Sequence, residues 1–358
     1  MKKLYSRITA VILSAVCISL GLTACAAFVQ SGQTAVQETA AEAAANEEAD
    51  YSYTEEASGP RSYLPVNPDG SVSYEGKKYK RNRHVKAILG LGIETHDNLT
   101  AKDSVEDVGT SDAIFLIVQD TAKNQIKILT IPRNSMVEID MIDDEGNSWK
   151  SFAPVNVAYT NGDGRHESCR ASVKAVEDLL CGLDIDHYAA VDLKLIPYVN
   201  DAVGGVTVTI PNDQLVKVNP EWKEGSKVTL RGDNAERFIR YRDIEIDGTP
   251  FVRQEQHKAY IAGLADALRK KSKEDSSLVS RLSDNLEDYV VTDMSKGEYE
   301  KIALDGIQGE FNTEGDMISL PGHAEVGEGG DGNLYDQWFV DYTQAIPVLL
   351  DLFYREID

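Results

Sequence analysis

The fifteen-residue stretch RYRDIEIDGTPFVRQ, from Arg240 to Gln254, gathers side chains suited to holding phosphate. Arg240, Arg242 and Arg253 bring guanidinium groups, Asp247 a carboxylate and Gln254 an amide. A guanidinium is planar and permanently charged, and it can donate two parallel hydrogen bonds to phosphate or carboxylate, as a lysine ammonium cannot. The clustering is notable in a chain whose formal net charge is −23. A solvated charged turn would also place these residues together, and the stretch alone does not separate the two. Two further positions extend the pattern: Asp112 after Gly109-Thr110-Ser111, and Arg133 after Ile131-Pro132. Singly, each has a plain explanation. Asp112 can cap a strand start, Arg133 can be a solvated strand end, and Asp247 before Gly248 is an ordinary turn former. Several arginine-bearing element ends in one domain are harder to assign to solvation. Asp112 and Asp247 could share Mg²⁺ or Mn²⁺, because Mg²⁺ is commonly held by one or two carboxylates with substrate phosphates completing the shell. The arginines would then offset charge developing on phosphoryl oxygens.

Such groups need elements to hold them. Val85–Gly92 and Ala113–Val118 are continuous apolar runs that predict strands buried on both faces, and Ile126–Ile131 alternates in part. Val191 and Val206–Ile210 supply more strand material. Helical periodicity covers 168–181, 193–202, 233–240, 253–271 and 276–289. Asp233 and Glu236 mark an N-terminal cap, and Gly204-Gly205 a left-handed helix end. Strands separated by helices predict an α/β fold, an α/β/α-like sandwich with a mixed central β-sheet flanked by helices. Asp112 then opens a strand, Arg133 and Asn134 follow one past Pro132, Asp247 lies in a loop, and Arg253 and Gln254 open a helix. Loops and helix starts are where such folds hold ligands. Arg240 and Arg242 face one cleft if helix gives way to extended chain between them.

Before this domain the chain reads as targeting and tether. Residues 1–25 carry Lys2, Lys3 and Arg7, then an apolar run from Ile8 to Leu22, as a signal peptide does. Leu22-Thr23-Ala24-Cys25 resembles a bacterial lipobox, which would put a lipid on Cys25 and anchor the protein to the outer face of the plasma membrane. An uncleaved membrane anchor is the alternative, though the run is short of the roughly 20 residues a span needs. Both place the domain outside the cytoplasm. Residues 26–80 read as an acidic Ala/Glu-rich tether with too few large apolar residues to offset ordering entropy; residues 81–358 form one domain. Cys169 and Cys181, on one continuous helix, would be about 18 Å apart, too far for a disulfide, which needs Cα atoms within roughly 7 Å. Buried, inert thiols are expected. An acidic, exported domain without a basic stripe excludes nucleic acid.

In order and at suitable spacing, these segments resemble the LytR-CpsA-Psr family of extracytoplasmic enzymes. The resemblance runs from about Lys86 to Lys270. It rests on Gly109-Thr110-Ser111-Asp112, Ile131-Pro132-Arg133, and Asn156-Val157-Ala158-Tyr159 with Asn161-Gly162. Tyr188 to Asp192, Asp201 to Val206, and Arg240-Tyr241-Arg242 with Asp247 and Arg253-Gln254 complete it. It implies transfer of a glycopolymer from a polyprenyl-pyrophosphate carrier to a peptidoglycan hydroxyl. Asp112, Arg133, Arg240 and Asp247 would be catalytic, with Mg²⁺ (or Mn²⁺) on Asp112 and Asp247, and Arg242, Arg253 and Gln254 would bind the diphosphate. The prenyl chain needs an apolar channel, expected between the sheet and the 168–181 and 253–271 helices.

The departures are specific. The family commonly has Arg at the position of Thr110, Asp at Asn134, Lys at Pro154 and Arg at Pro250. Each lost charge-assisted bond to phosphate costs roughly 1.5–3 kcal/mol. Arg81, Arg83, Arg165 or Arg170 could compensate, Arg165 foremost because it lies in a Gly-rich loop near Asn156. Otherwise the chain is a weakly active or inactive binding protein for polyprenyl-diphosphate glycans, or a pyrophosphatase acting on them.

Overall fold

The computed structural model describes residues 64–93, 99–102, 104, 108–241, 249–275, 278, 289–295, 297–298, 301–302, 315–328 and 334–357; at 249–255, 257 and 258 it describes backbone only. The signal segment with Cys25, the tether to residue 63, Arg242 and Asp247 lie outside these residues.

A hairpin of β1 (Val72–Tyr74) and β2 (Lys77–Arg81) leads to three long strands, β3 (Val85–Ile93), β4 (Ser111–Asp120) and β5 (Gln125–Ile131). A second hairpin, β6 (Met136–Ile142) and β7 (Ser148–Pro154), runs into a 3₁₀ helix over Val155–Thr160 and then α1 (His166–Leu179). Next come β8 (His187–Asp192), α2 (Leu195–Ala202), β9 (Val206–Thr209), β10 (Lys227–Leu230), α3 (Asp233–Arg240) and α4 (Thr249–Glu274). The C-terminal part adds β11 (Val290–Thr292), β12 (Met317–Ser319) and a third hairpin, β13 (Gly322–Glu328) with β14 (Leu334–Val340). Helix α5 (Tyr342–Phe353) and β15 (Tyr354–Ile357) close the chain.

The central sheet has the order β11-β8-β3-β4-β5-β12. It is mixed: β3 runs parallel to β8 and antiparallel to β4, and β5 runs antiparallel to β4 and parallel to β12. The strand period of two splits its side chains between two cores. Ile88, Phe115, Ile117 and Val191 join α2, α3 and α4 through Val199, Phe238, Tyr260 and Leu264 on one face. Leu89, Leu91, Leu116 and Ala190 join α1 and α5 through Val176, Leu179, Leu349 and Phe353 on the other. The expected α/β layering with a mixed sheet is present. At Gly90 a Cβ would lie 2.1 Å from the Phe115 ring, so only glycine fits opposite that side chain.

Several expectations are corrected. Helices α1 and α4 cover opposite faces of the sheet, so no single channel runs between the sheet and both. Val176 and Leu180 belong to one core and Ile261, Leu264 and Leu268 to the other. Residues 72–80, read as the end of the tether, form with Arg81 and β15 a sheet in the order β1-β2-β15. That pairing joins residues 270 or more positions apart, which no local pattern reveals. Asp233 is the first residue of α3 and not its cap; the N-cap is Gly232, whose N–H donates to Asp201 Oδ1 at 2.7 Å. Gly204 (φ 86°) and Gly205 (φ 95°) do end α2 in left-handed conformation. Helix α1 stops at Leu179, so Cys181 lies just beyond it with φ 63°. Both thiols are nevertheless free and buried, as expected.

Candidate functional site

One end of the central sheet brings two of the candidate residues, Asp112 and Arg133, together. β3 ends there at Ile93, β4 begins there opposite it at Ser111, and β5 and β8 end there at Ile131 and Asp192. Antiparallel pairing is what brings Asp112, at the start of β4, beside Arg133, just past the end of β5. Pro132 has no N–H to continue the ladder, and the chain turns: Ser135 N–H and Oγ both donate to the Pro132 carbonyl, at 2.9 and 2.7 Å. The turn carries Arg133 out to meet Asp112, and its Nη1 pairs with Asp112 Oδ1. Their side chains remain 47% and 27% exposed, so a ligand can reach the pair.

The Asn156 segment braces the pair from below. Asn156 N–H donates to the Arg133 carbonyl at 3.0 Å, and Val155 N–H to the Ser135 carbonyl at 2.8 Å. Ser111 Oγ, fully buried, donates to the Asn156 carbonyl at 3.4 Å. Backbone of the 3₁₀ helix thus ties the start of β4 to the turn after β5. Tyr159 anchors that helix: its hydroxyl donates to the Gly164 carbonyl at 2.7 Å, and burial pushes the phenol far above its ordinary pKa, keeping it a neutral donor. Asp163 Oδ1 accepts from Arg165 N–H at 2.8 Å and Glu167 N–H at 2.9 Å, satisfying donors at the start of α1. The loop 162–165 is thereby fixed. Among its residues, Arg165 donates from Nη1 to the Leu99 carbonyl, so it is built into the wall formed with residues 99–102.

The other arginines divide. Arg240 is the last residue of α3 and pairs with Glu236 at 2.9 Å, a contact between successive turns. Helix does give way after it, because Tyr241 is extended at φ −59° and ψ 129°. Helix α4 starts at Thr249, so Arg253 and Gln254 stand on its second turn and do not open it. Their side chains, like all of Arg242 and Asp247, are outside the described residues. Arg81 is excluded as a substitute: it donates to the carbonyls of Val85 and Phe353 and pairs with Asp186 at the far end of β3. That is about 27 Å of strand from Ile93. Arg170 lies along α1 beside Glu167, 3.9 Å away.

Three of the four departures have surroundings that account for them. Pro250 is the second residue of α4, where a missing N–H removes no helix bond. Pro154 closes β7 and caps the 3₁₀ helix at φ −58°, a value proline favours. The Asn134 side chain donates from Nδ2 to the Asp336 carbonyl at 2.7 Å, and the Asn134 backbone carbonyl accepts from Trp338 N–H at 2.9 Å. A carboxylate there could not make the first bond. Nothing in the structure explains Thr110. Sequence reading missed this contact and the Glu236–Arg240 pair; the four-residue spacing would have shown the second.

Among the described residues no group of three or more His, Cys, Asp or Glu could hold a metal ion. Asp112 stands partly exposed at the sheet end as a single carboxylate engaged by Arg133. That fits a cation held chiefly by substrate phosphates and poorly fits an all-protein cage.

Comparison with known proteins follows the same lines. The family model described as LytR_cpsA_psr family matches residues 28–343. TagV of Bacillus subtilis strain 168, a polyisoprenyl-teichoic acid–peptidoglycan teichoic acid transferase, is 27% identical over 243 residues, which are 66% of this chain and 56% of TagV. TagU of Bacillus cereus strain AH820, of the same description, is 30% identical over 203 residues, 56% of this chain and 58% of TagU. The chain thus spans little more than half the length of either relative. The crystal structure of B. subtilis TagV superposes with a TM-score of 0.52 at 23% identity, covering 76% of this chain and 96% of that one, a likeness of fold.

Proposed function

We propose that this chain, which belongs to the LytR_cpsA_psr family, transfers a glycopolymer from a polyprenyl-pyrophosphate carrier to a peptidoglycan hydroxyl. The observation that carries the proposal is the half-exposed Arg133–Asp112 pair at the sheet end, braced by Asn156. Arginine forks at such a site bind diphosphate and stabilise charge as it develops. Arg133 and Arg240, with Arg242, Arg253 and Gln254 from the same stretch of sequence, hold the two phosphates. Arg165 supports the wall beside them. The acceptor oxygen attacks the phosphorus next to the sugar. The bond from that phosphorus to the bridging oxygen breaks, and polyprenyl phosphate leaves with the electron pair. The hydroxyl proton passes to a carboxylate, Asp112 or Asp247. A divalent cation held by Asp112, Asp247 and the substrate phosphates would neutralise phosphate charge when bound.

The supporting comparisons concern relatives named as teichoic acid transferases. The nature of this chain's own polymer is part of the proposal. So is its place: Cys25 as the lipid-bearing N-terminus would hold the domain on the outer face of the plasma membrane, where carrier and wall meet. Among the described residues no helix is long and apolar enough to cross a membrane.

One observation favours a second reading, a binding protein without turnover. Asn134 is committed to a backbone contact, so the turn bearing Arg133 offers no carboxylate of its own. Release of polyprenyl phosphate from a synthetic donor, stimulated by peptidoglycan and lost in Asp112→Ala and Arg133→Ala, supports transfer. Tight donor binding without release supports the second reading, and release without acceptor supports hydrolysis.

A further inference from the structure

Helix α4 carries a polar side chain where its packing calls for an apolar one. Gln256, Tyr260 and Gly263 follow one another at helical spacing along one side of it. That side is pressed into the core. Tyr260 shares a core with Val199 of α2 and Phe238 of α3, and a Cβ on Gly263 would meet the Thr207 carbonyl oxygen of β9. Tyr260 and Gln256 are each 1% exposed. Their polar atoms fare differently. The Tyr260 hydroxyl donates to Asn200 Oδ1 at 3.3 Å, and Asn200 Nδ2 donates to the Leu230 carbonyl at 2.9 Å. Among the described residues, Gln256 is the buried side chain whose donor and acceptor, Nε2 and Oε1, both lack a hydrogen-bond partner. Buried amides are nearly always bonded, because an amide stripped of water and given nothing in return is unfavourable. Methionine would fill the same space without that penalty. What the fold leaves unsatisfied here, a ligand can satisfy.

Position selects the ligand. Gln256 lies in the first turns of α4, one turn beyond Arg253. Free N–H groups at a helix start favour an anion, and Pro250 removes one of them from this first turn. The arginines described at element ends stay open to solvent, Arg133 at 47% and Arg240 at 42%. A neutral amide can be held inside, where an unpaired charge cannot. In a prenyl-linked donor the phosphate that goes inside is the one joined to the apolar chain, since that chain must be sheltered from water. A phosphate oxygen accepts from Nε2. The proton that a phosphate monoester keeps up to about pH 6 gives Oε1 a donor, so the released prenyl phosphate meets both atoms of the amide.

We propose that Gln256 is a substrate-binding residue whose carboxamide holds the prenyl-side phosphate, first of the donor and then of the prenyl phosphate that leaves. The identity of the lipid rests on the transfer proposed above; the unpartnered amide does not depend on it.

The test uses the full chain with geranylgeranyl phosphate as probe and inorganic phosphate as the control for a site that takes the anion alone. Binding is followed by titration calorimetry, and the melting temperature of the ligand-free protein is measured alongside. Wild type binds the prenyl phosphate, and more tightly than inorganic phosphate. Gln256→Met raises the melting temperature by a few degrees, because the unpaired amide is gone, and weakens prenyl phosphate binding roughly ten-fold. Gln256→Glu, of the same shape but charged, weakens it further at mildly alkaline pH. A lower melting temperature in Gln256→Met would mean that the amide is bonded within the fold. A higher one with unchanged affinity would mean that it serves no ligand. Either result, no prenyl phosphate binding to wild type, or equal binding of inorganic phosphate, would overturn the proposal. Should prenyl phosphate bind as described while no glycan is transferred, Gln256 keeps its role and the transfer reading alone falls. Peptidoglycan-stimulated transfer with prenyl phosphate affinity unchanged in Gln256→Met would do the reverse.

Discussion

Arg133 and Asp112 meet across the adjoining ends of β5 and β4, brought there by the antiparallel register of two strands buried in the core. Neither end is free to drift. The Arg133 carbonyl is held by Asn156 and the residue after Asp112 is core. A guanidinium pre-aligned beside a carboxylate, both reachable from solvent, is the arrangement on which the proposed phosphate site rests.

Arg133→Lys keeps the charge and loses the fork. It is expected to lower kcat/KM by roughly 10- to 100-fold, the worth of one charge-assisted bond. Asp112→Asn should lower it as well. The double variant should fall short of the product of the two losses, since the residues act on one another; a double-mutant cycle on steady-state rates measures this.

Gly263 lets α4 lie against β9. A Cβ there would stand 2.4 Å from the Thr207 carbonyl oxygen, a backbone atom that cannot swing aside. Gly263→Ala is expected to cost about 1–3 kcal/mol in urea denaturation. It should also reduce turnover, because α4 carries Arg253 and Gln254. Wild-type stability in this variant would show that the helix can shift freely.

Asp163 links stability to pH. Burial acts to raise its pKa, and backbone donors from Arg165, Glu167 and Ser168 outweigh that, leaving it below its ordinary value. A depressed carboxylate contributes stability above its unfolded pKa and loses it as pH falls through the folded one. Asp163→Ala should therefore cost about 1–2 kcal/mol near neutrality and much less in acid. Denaturation curves for both proteins at neutral and acid pH compare the two regimes.

Cys169 is buried, and desolvation holds its thiol well above the ordinary range. It should resist iodoacetamide in the folded protein at mildly alkaline pH and react once unfolded. Peptide mapping after alkylation reads this directly.

The strands from Val85, Ala113 and Ile126 were legible because continuous apolar runs mark a sheet buried on both faces, and α3 matched its expected span over 233–240. Asp112 and Arg133 were legible as candidates because they stand at strand ends; their contact needed the register. What local pattern could not supply was long-range pairing. β15 beside β2, Asp336 beside Asn134, and the assignment of α1 and α4 to opposite faces all join segments far apart in sequence. α4 starts at Thr249, four residues before the expected 253, because proline in a first helical turn costs no helix bond.

The central claim is phosphoryl transfer to a glycan at the Asp112–Arg133 pair. Its most direct measurement is release of polyprenyl phosphate from a synthetic polyprenyl-diphosphate glycan with Mg²⁺, with and without peptidoglycan, for wild type, Asp112→Ala and Arg133→Ala. Release is expected to be stimulated by peptidoglycan and abolished by both substitutions. Release indifferent to acceptor, or undiminished in Arg133→Ala, would contradict it.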